Sequence, residues 1–135
     1  MARVQRVSFG EERLTYTVVG DDGLPVGPAA EYLRFLRDGG ASPHTVRAYA
    51  AGLAEWFTVL THTGHPWDDF PTTLFGQFLR YLRTGDLPGS ARIGPPQQRL
   101  AASSLQPRAA AVLSMYRYHA DAHHTETPYQ RLFTS

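Results

Sequence analysis

A mainly α protein, four helices packed as a small bundle behind a short β-hairpin, is the fold class that three observations predict. Apolar residues recur at helical spacing from Pro28 onward, Gly and Pro clusters divide that stretch into four segments, and the residues before it alternate with period two. The chain has 135 residues and is 42% hydrophobic, enough for one domain with a real core.

The hairpin is read from "VQRVSF" at 4–9 and "LTYTVV" at 14–19, with "GEER" between them and "GDDG" after. Leu14, Tyr16 and Val18 share one face, as do Val7 and Phe9. An isolated hairpin is marginal in water, so it must pack on the body, pair with a partner or be partly disordered. "LPVGP" then reads as an extended linker.

The first helix, about "AAEYLRFLRD", turns Tyr32, Leu33 and Leu36 inward and stops at Gly39 and Gly40. The second opens with Ser42 as N-cap and Pro43 at the first helical position, where its missing N–H costs nothing. At about 100° per residue, Val46, Tyr49, Leu53, Trp56, Phe57 and Leu60 fall in one arc. His44, Arg47, Ala48, Ala51, Glu55 and Thr58 fall opposite.

"THTGHPWDDF" breaks that helix, and "TTLFGQFLRYLRTGD" forms a third, ended by Gly85. Its inward residues are Leu74 or Phe75, Phe78, Leu79 and Leu82, with Gln77, Arg80 and Arg83 more exposed. Residues 85–102, rich in Gly and Pro, read as a mobile loop. A fourth helix is expected from Ser103 or Ser104 to about His123, with Leu105, Ala109, Val112, Tyr116 and Ala120 in one stripe and Pro107 in its first turn. The closing "HTETPYQRLFTS" reads as a linker that opens a further apolar pattern.

Net charge is +1, so the overall balance does not itself point to nucleic acid. All 13 basic residues are arginine, the side chain suited to bidentate phosphate or guanine contacts. Cysteine is absent, which excludes disulfides and thiolate chemistry and fits a cytoplasmic protein. No apolar run reaches the roughly 18 residues a membrane span needs, and "MARVQRVSFGEER" lacks the core of a signal peptide.

No nucleophile with a base in reach is evident, and no cofactor is implied. His119 and His123, four apart with His124 adjacent, have metal-ligand spacing. Both lie in the apolar stripe of helix four without a carboxylate to complete a site, so they read as hydrogen-bonded core histidines. His62 and His65 read as solvated turn residues, and Asp21/Asp22 and Asp68/Asp69 as turn formers. What remains is two helix starts that join backbone N–H groups to arginine. One carries Ser42, His44, Thr45 and Arg47; the other carries Arg99, Ser103, Ser104, Gln106 and Arg108. Each is equally an ordinary capped helix, and spacing alone does not separate the two readings.

"SPHTVRAYAAGLAEWFTVL", Trp67, "LFGQFLRYLR" and "RAAAVLSMYRYHAD" resemble the N-terminal core-binding domain of the tyrosine recombinases, the phage-integrase family, over about 28–127. Ser42, Pro43, Thr45 and Tyr49 carry its strongest mark, and "TPYQRL" resembles the passage into a catalytic domain. The resemblance implies a SAM-like orthogonal bundle of four helices that closes over one face of double-stranded DNA, with helices two and four at the major groove. It assigns His44, Thr45 and Arg47, with Ser104, Gln106 and Arg108, to that interface. Pro107 stands where the family often has Arg or another polar residue. The family's catalytic Arg, His-x-x-Arg and Tyr nucleophile belong to a separate domain, so the chain is expected to be catalytically inert alone. His44 and Arg47 spell His-x-x-Arg within the core-binding motif and fall to the DNA-facing surface.

The expected division is therefore an arm and linker over 1–27, a core-binding domain over 28–127, and from 128 to 135 the start of a linker to an absent catalytic domain. DNA is the expected partner, with other recombinase protomers as further contacts. The alternatives are a helical protein–protein interaction or oligomerisation module, using Arg80, Arg83 and the hairpin, and a truncated decoy recombinase.

Overall fold

The computed structural model describes residues 1–8, 10, 14–90 and 99–123. Strands β1 (Arg3–Ser8) and β2 (Leu14–Val19) form an antiparallel hairpin. Four helices follow: α1 (Gly27–Asp38), α2 (Pro43–Thr63), α3 (Thr73–Thr84) and α4 (Ala102–His123). The expected hairpin and four-helix order is thus what the chain adopts. Phe9, residues 11–13 of the predicted hairpin turn, residues 91–98 of the 85–102 loop and the segment after His123 lie outside the described residues.

Helix α2 is the axis of the fold, and every other element packs on it. Its apolar arc holds as predicted: Val46, Leu53, Trp56, Phe57 and Leu60 are buried, while Tyr49 is half-buried. Trp56 is fully enclosed, with Phe70 and Phe78 edge-on at 5.1 and 5.2 Å. Each such large apolar side chain stabilises by roughly 1.5–3 kcal/mol. The Trp56 indole N–H donates to the Tyr116 hydroxyl at 2.9 Å, and that hydroxyl donates to the Trp67 carbonyl. One buried relay thereby joins α2, α4 and the connection before α3, and burial pushes the Tyr116 phenol well above its ordinary pKa.

The hairpin packs on the body. Val18 lies in the central core and Val19 is buried beside it. The supposed extended linker turns back: Pro25 bridges to Val19, and the Val26 N–H donates to the Val18 carbonyl at 2.8 Å. This arrangement corrects the wheel assignment of Thr58. Expected opposite the apolar arc, it is buried, its hydroxyl donating to the Ala54 carbonyl at 2.9 Å beneath the N-terminal strand. A hairpin on one flank of α2 and α4 on another leave its second half little exposed surface.

Helix ends differ by a turn from expectation. Helix α2 runs on to Thr63 and stops at Gly64, whose φ of 75° suits a left-handed cap, so His62 is helical and approaches the Pro88 carbonyl. His65 is half-buried, its Nδ1 at 2.9 Å from the Thr63 hydroxyl. Helix α3 buries Leu74, Phe78 and Leu82 as predicted, and also Tyr81. Helix α4 starts at Ala102, so Pro107 sits beyond its first turn and removes the N–H that would bond the Ser103 carbonyl. Its buried stripe is shifted to Ala111, Val112, Met115, Tyr116 and His119, because both α2 and α1 press on it. His119 is the core histidine expected: 3% exposed, hydrogen-bonded to the Pro28 carbonyl at 2.8 Å and packed on Trp67.

Candidate nucleic-acid interface

The start of α2 is built as the sequence suggests. Ser42 takes an extended backbone (φ −67°, ψ 156°), its hydroxyl oxygen accepting the Thr45 N–H at 3.1 Å. The Ser42 hydroxyl also donates to the Thr45 hydroxyl at 3.0 Å, so both side chains are committed to the cap. Pro43 has no N–H, and the Val46 N–H already bonds the Ser42 carbonyl. Among the described residues this leaves His44 as the first-turn backbone donor free to meet an anion at the positive end of the helix. His44, Arg47 and Ala48 are exposed beside it.

The second cluster is organised by a residue that the helical wheel placed on the open face. Glu55 is only 15% exposed and accepts from Arg99 at 2.5 Å and from Arg108 at 3.3 Å. The Arg99 guanidinium also lies over the Tyr81 ring, 5.1 Å from its centroid. Burial, and then the hydrogen bond with Glu55, push the Tyr81 phenol up to about 12. The same carboxylate, by its hydrogen bond, holds the Arg99 guanidinium more firmly charged than usual. Arg99 and Arg108 are therefore ion-paired and keep 35% and 28% of their side-chain surface exposed. Ser103, Ser104 and Gln106 are exposed on the first turns of α4.

Gly52 determines how close the two clusters come. A methyl group there would stand 2.7 Å from the Arg108 carbonyl, so only glycine lets α4 rest on α2 at this point. At 100° per residue, His44, Arg47, Ala48, Ala51 and Glu55 fall on one side of α2, with Arg108 joining the line through Glu55. From Arg47 to Glu55 the helix rises about 12 Å, close to the width of a DNA major groove. Arg99 and Arg108 thus join the Glu55 end of this line, about 12 Å along the helix axis from Arg47.

Sequence reading missed Glu55 and Tyr81 as parts of this surface. A glycine inside a strong helix three residues before a carboxylate was the available signal, since such a glycine marks a close backbone approach. The identity of what approaches, α4 across more than fifty residues, has no local signature.

Among the described residues, no group of His, Asp and Glu could hold a metal ion, and no helix is long and apolar enough to cross a membrane. The class defined by this fold is a small helical bundle carrying polar helix starts on one side of its central helix. Residues 29–123 match the family described as phage integrase, N-terminal SAM-like domain. The chain belongs to that family, and the matched segment is this N-terminal type of domain alone. Comparison with curated proteins and with solved structures found no match. Residues 1–28, which include the hairpin, lie outside the matched segment.

Proposed function

We propose that the chain is the DNA-binding module of a site-specific tyrosine recombinase. It grips one face of the recombination site through the starts of α2 and α4 and performs no strand chemistry by itself. One observation supports this reading beyond family membership: exposed His44 and Arg47 and the Arg108–Glu55 pair lie along one side of α2, with Arg47 and Glu55 about 12 Å apart along the helix, close to a major-groove width. Ser42 and Thr45 act by fixing the tip of α2, while His44 and Arg47 reach outward. On α4, Ser103, Ser104 and Gln106 supply polar reach, and Arg99 and Arg108 supply charge moderated by Glu55.

The test is duplex binding followed against salt concentration. Wild-type protein should bind weakly at low ionic strength, with affinity falling as salt rises, and Arg47→Ala should lower both the affinity and the slope, by about one phosphate's worth of released counterion. Absence of salt-sensitive binding to any duplex would overturn the reading.

A second reading, a helical interaction module, is favoured by one feature. Phe35 is 54% exposed and its ring lies tilted against that of Tyr118, centroids 4.7 Å apart, in a cleft between α1 and α4. Light scattering at several concentrations separates the two, since an oligomer indifferent to DNA supports only the second.

A further inference from the structure

The surface beside Arg47 extends past the bundle onto the hairpin. A cleft of about 430 Å³ opens there, lined by Val4, Arg6, Tyr16, Arg47 and Ala51. Among the described residues, two of the five that line it are arginines and none is a carboxylate. Arg6 stands directly across the ladder from Tyr16, so both project from the same face of the hairpin. The Arg47 guanidinium lies 5.7 Å from the centroid of the Tyr16 ring, which holds it at the mouth of the cleft.

The contrast with the other arginine pair is chemical. Arg99 and Arg108 share the Glu55 carboxylate, whereas among the described residues no carboxylate is paired with Arg6 or Arg47, and both are exposed. Two guanidinium groups converging on an open cleft, with no carboxylate among the described residues that line it, form a receptor for an anion with several oxygens. Arg47 also lies one turn along α2 from His44, whose N–H marks the positive end of that helix.

We propose that this cleft is a second phosphate-binding position, in which Arg6 and Arg47 hold the sugar–phosphate backbone of the strand that continues past the start of α2. Tyr16 is a positioning residue that keeps Arg47 in place. The hairpin becomes an added finger of the DNA grip, outside the segment that matches the family. This inference rests on the DNA-binding reading above.

The experiment compares full-length Arg6→Gln with Arg3→Gln in anisotropy titrations of a labelled duplex at several salt concentrations. The two substitutions remove the same charge from the same strand, but Arg3, three residues away, lies on the opposite face of the hairpin. Arg6→Gln should weaken binding several-fold and reduce the salt slope by about 1, leaving the melting temperature unchanged, whereas Arg3→Gln should change the slope far less. Equal effects of the two, or no effect of Arg6→Gln while His44→Ala still weakens binding, would overturn the cleft and leave the function standing. A wild-type chain that binds no duplex would overturn both.

Discussion

At the scale of the residue, Glu55 governs more of the candidate interface than any basic side chain. It draws two arginines away from solvent and anchors the Tyr81 hydroxyl. Glu55→Gln should lower stability by about 1 kcal/mol, modest because the pair is partly exposed. The same change should raise duplex affinity by releasing Arg99 and Arg108; a thermal melt and a binding titration on one preparation check both signs. The tyrosines predict an alkaline limit. Tyr32 and Tyr81 are each pushed up to about 12 chiefly by burial. A phenol raised above its unfolded value of about 10 contributes stability that is full below that pH and is lost as pH climbs through the folded value. Unfolding midpoints should therefore be insensitive to these groups near neutrality and fall between about pH 10 and 12. Replacing both by Phe should flatten that decline and reduce the phenolate absorbance gained over the same pH range.

At the scale of the element, α2 and α4 are locked by one missing side chain and one buried relay. Helix propensity alone says that Gly52→Ala should stabilise α2 by about 1 kcal/mol. The contact geometry says the reverse, since the new methyl would meet Arg108 backbone atoms at 2.7 and 2.9 Å. Backbone cannot swing aside as a long side chain does, so a net loss of about 1–3 kcal/mol is expected, read as a lower urea midpoint. A raised midpoint would mean that α4 does not rest on α2 as closely as described. Because the Arg108 backbone moves first, duplex binding should weaken together with stability in this variant.

At the scale of the whole molecule, hairpin and bundle share a core. Val18 packs in the same cluster as Leu33, Val46 and Trp56, and the Val26 N–H hangs on the Val18 carbonyl. A chain that begins at Gly20 should consequently lose about 3 kcal/mol or more, from the burial of Val18 and Val19 alone. Differential scanning calorimetry of that shortened chain checks this; an unchanged transition would show that the hairpin contributes nothing to the bundle. The same packing carries Arg6 and Tyr16 to the flank of α2, so the arm supports both stability and the proposed grip.

Local chemistry was enough to determine the four helices and most of the inner faces of α2 and α3. Ser42 with Pro43 announced the start of α2, Gly39 and Gly85 ended two helices, and the 3.6-residue spacing selected Val46, Leu53, Trp56 and Phe57 for burial. Both helix starts were legible as capped ends beside arginine, and the family resemblance assigned them to the DNA-facing side. Only the tertiary structure decided that Thr58 is buried, that Glu55 takes up Arg99 and Arg108, and that Arg6, Tyr16 and Arg47 meet in one cleft. The physical reason is common to all three. A helical wheel describes one helix against one partner, whereas α2 is enclosed on several sides by segments distant in sequence, and long-range contacts of that kind leave no periodic trace in the chain.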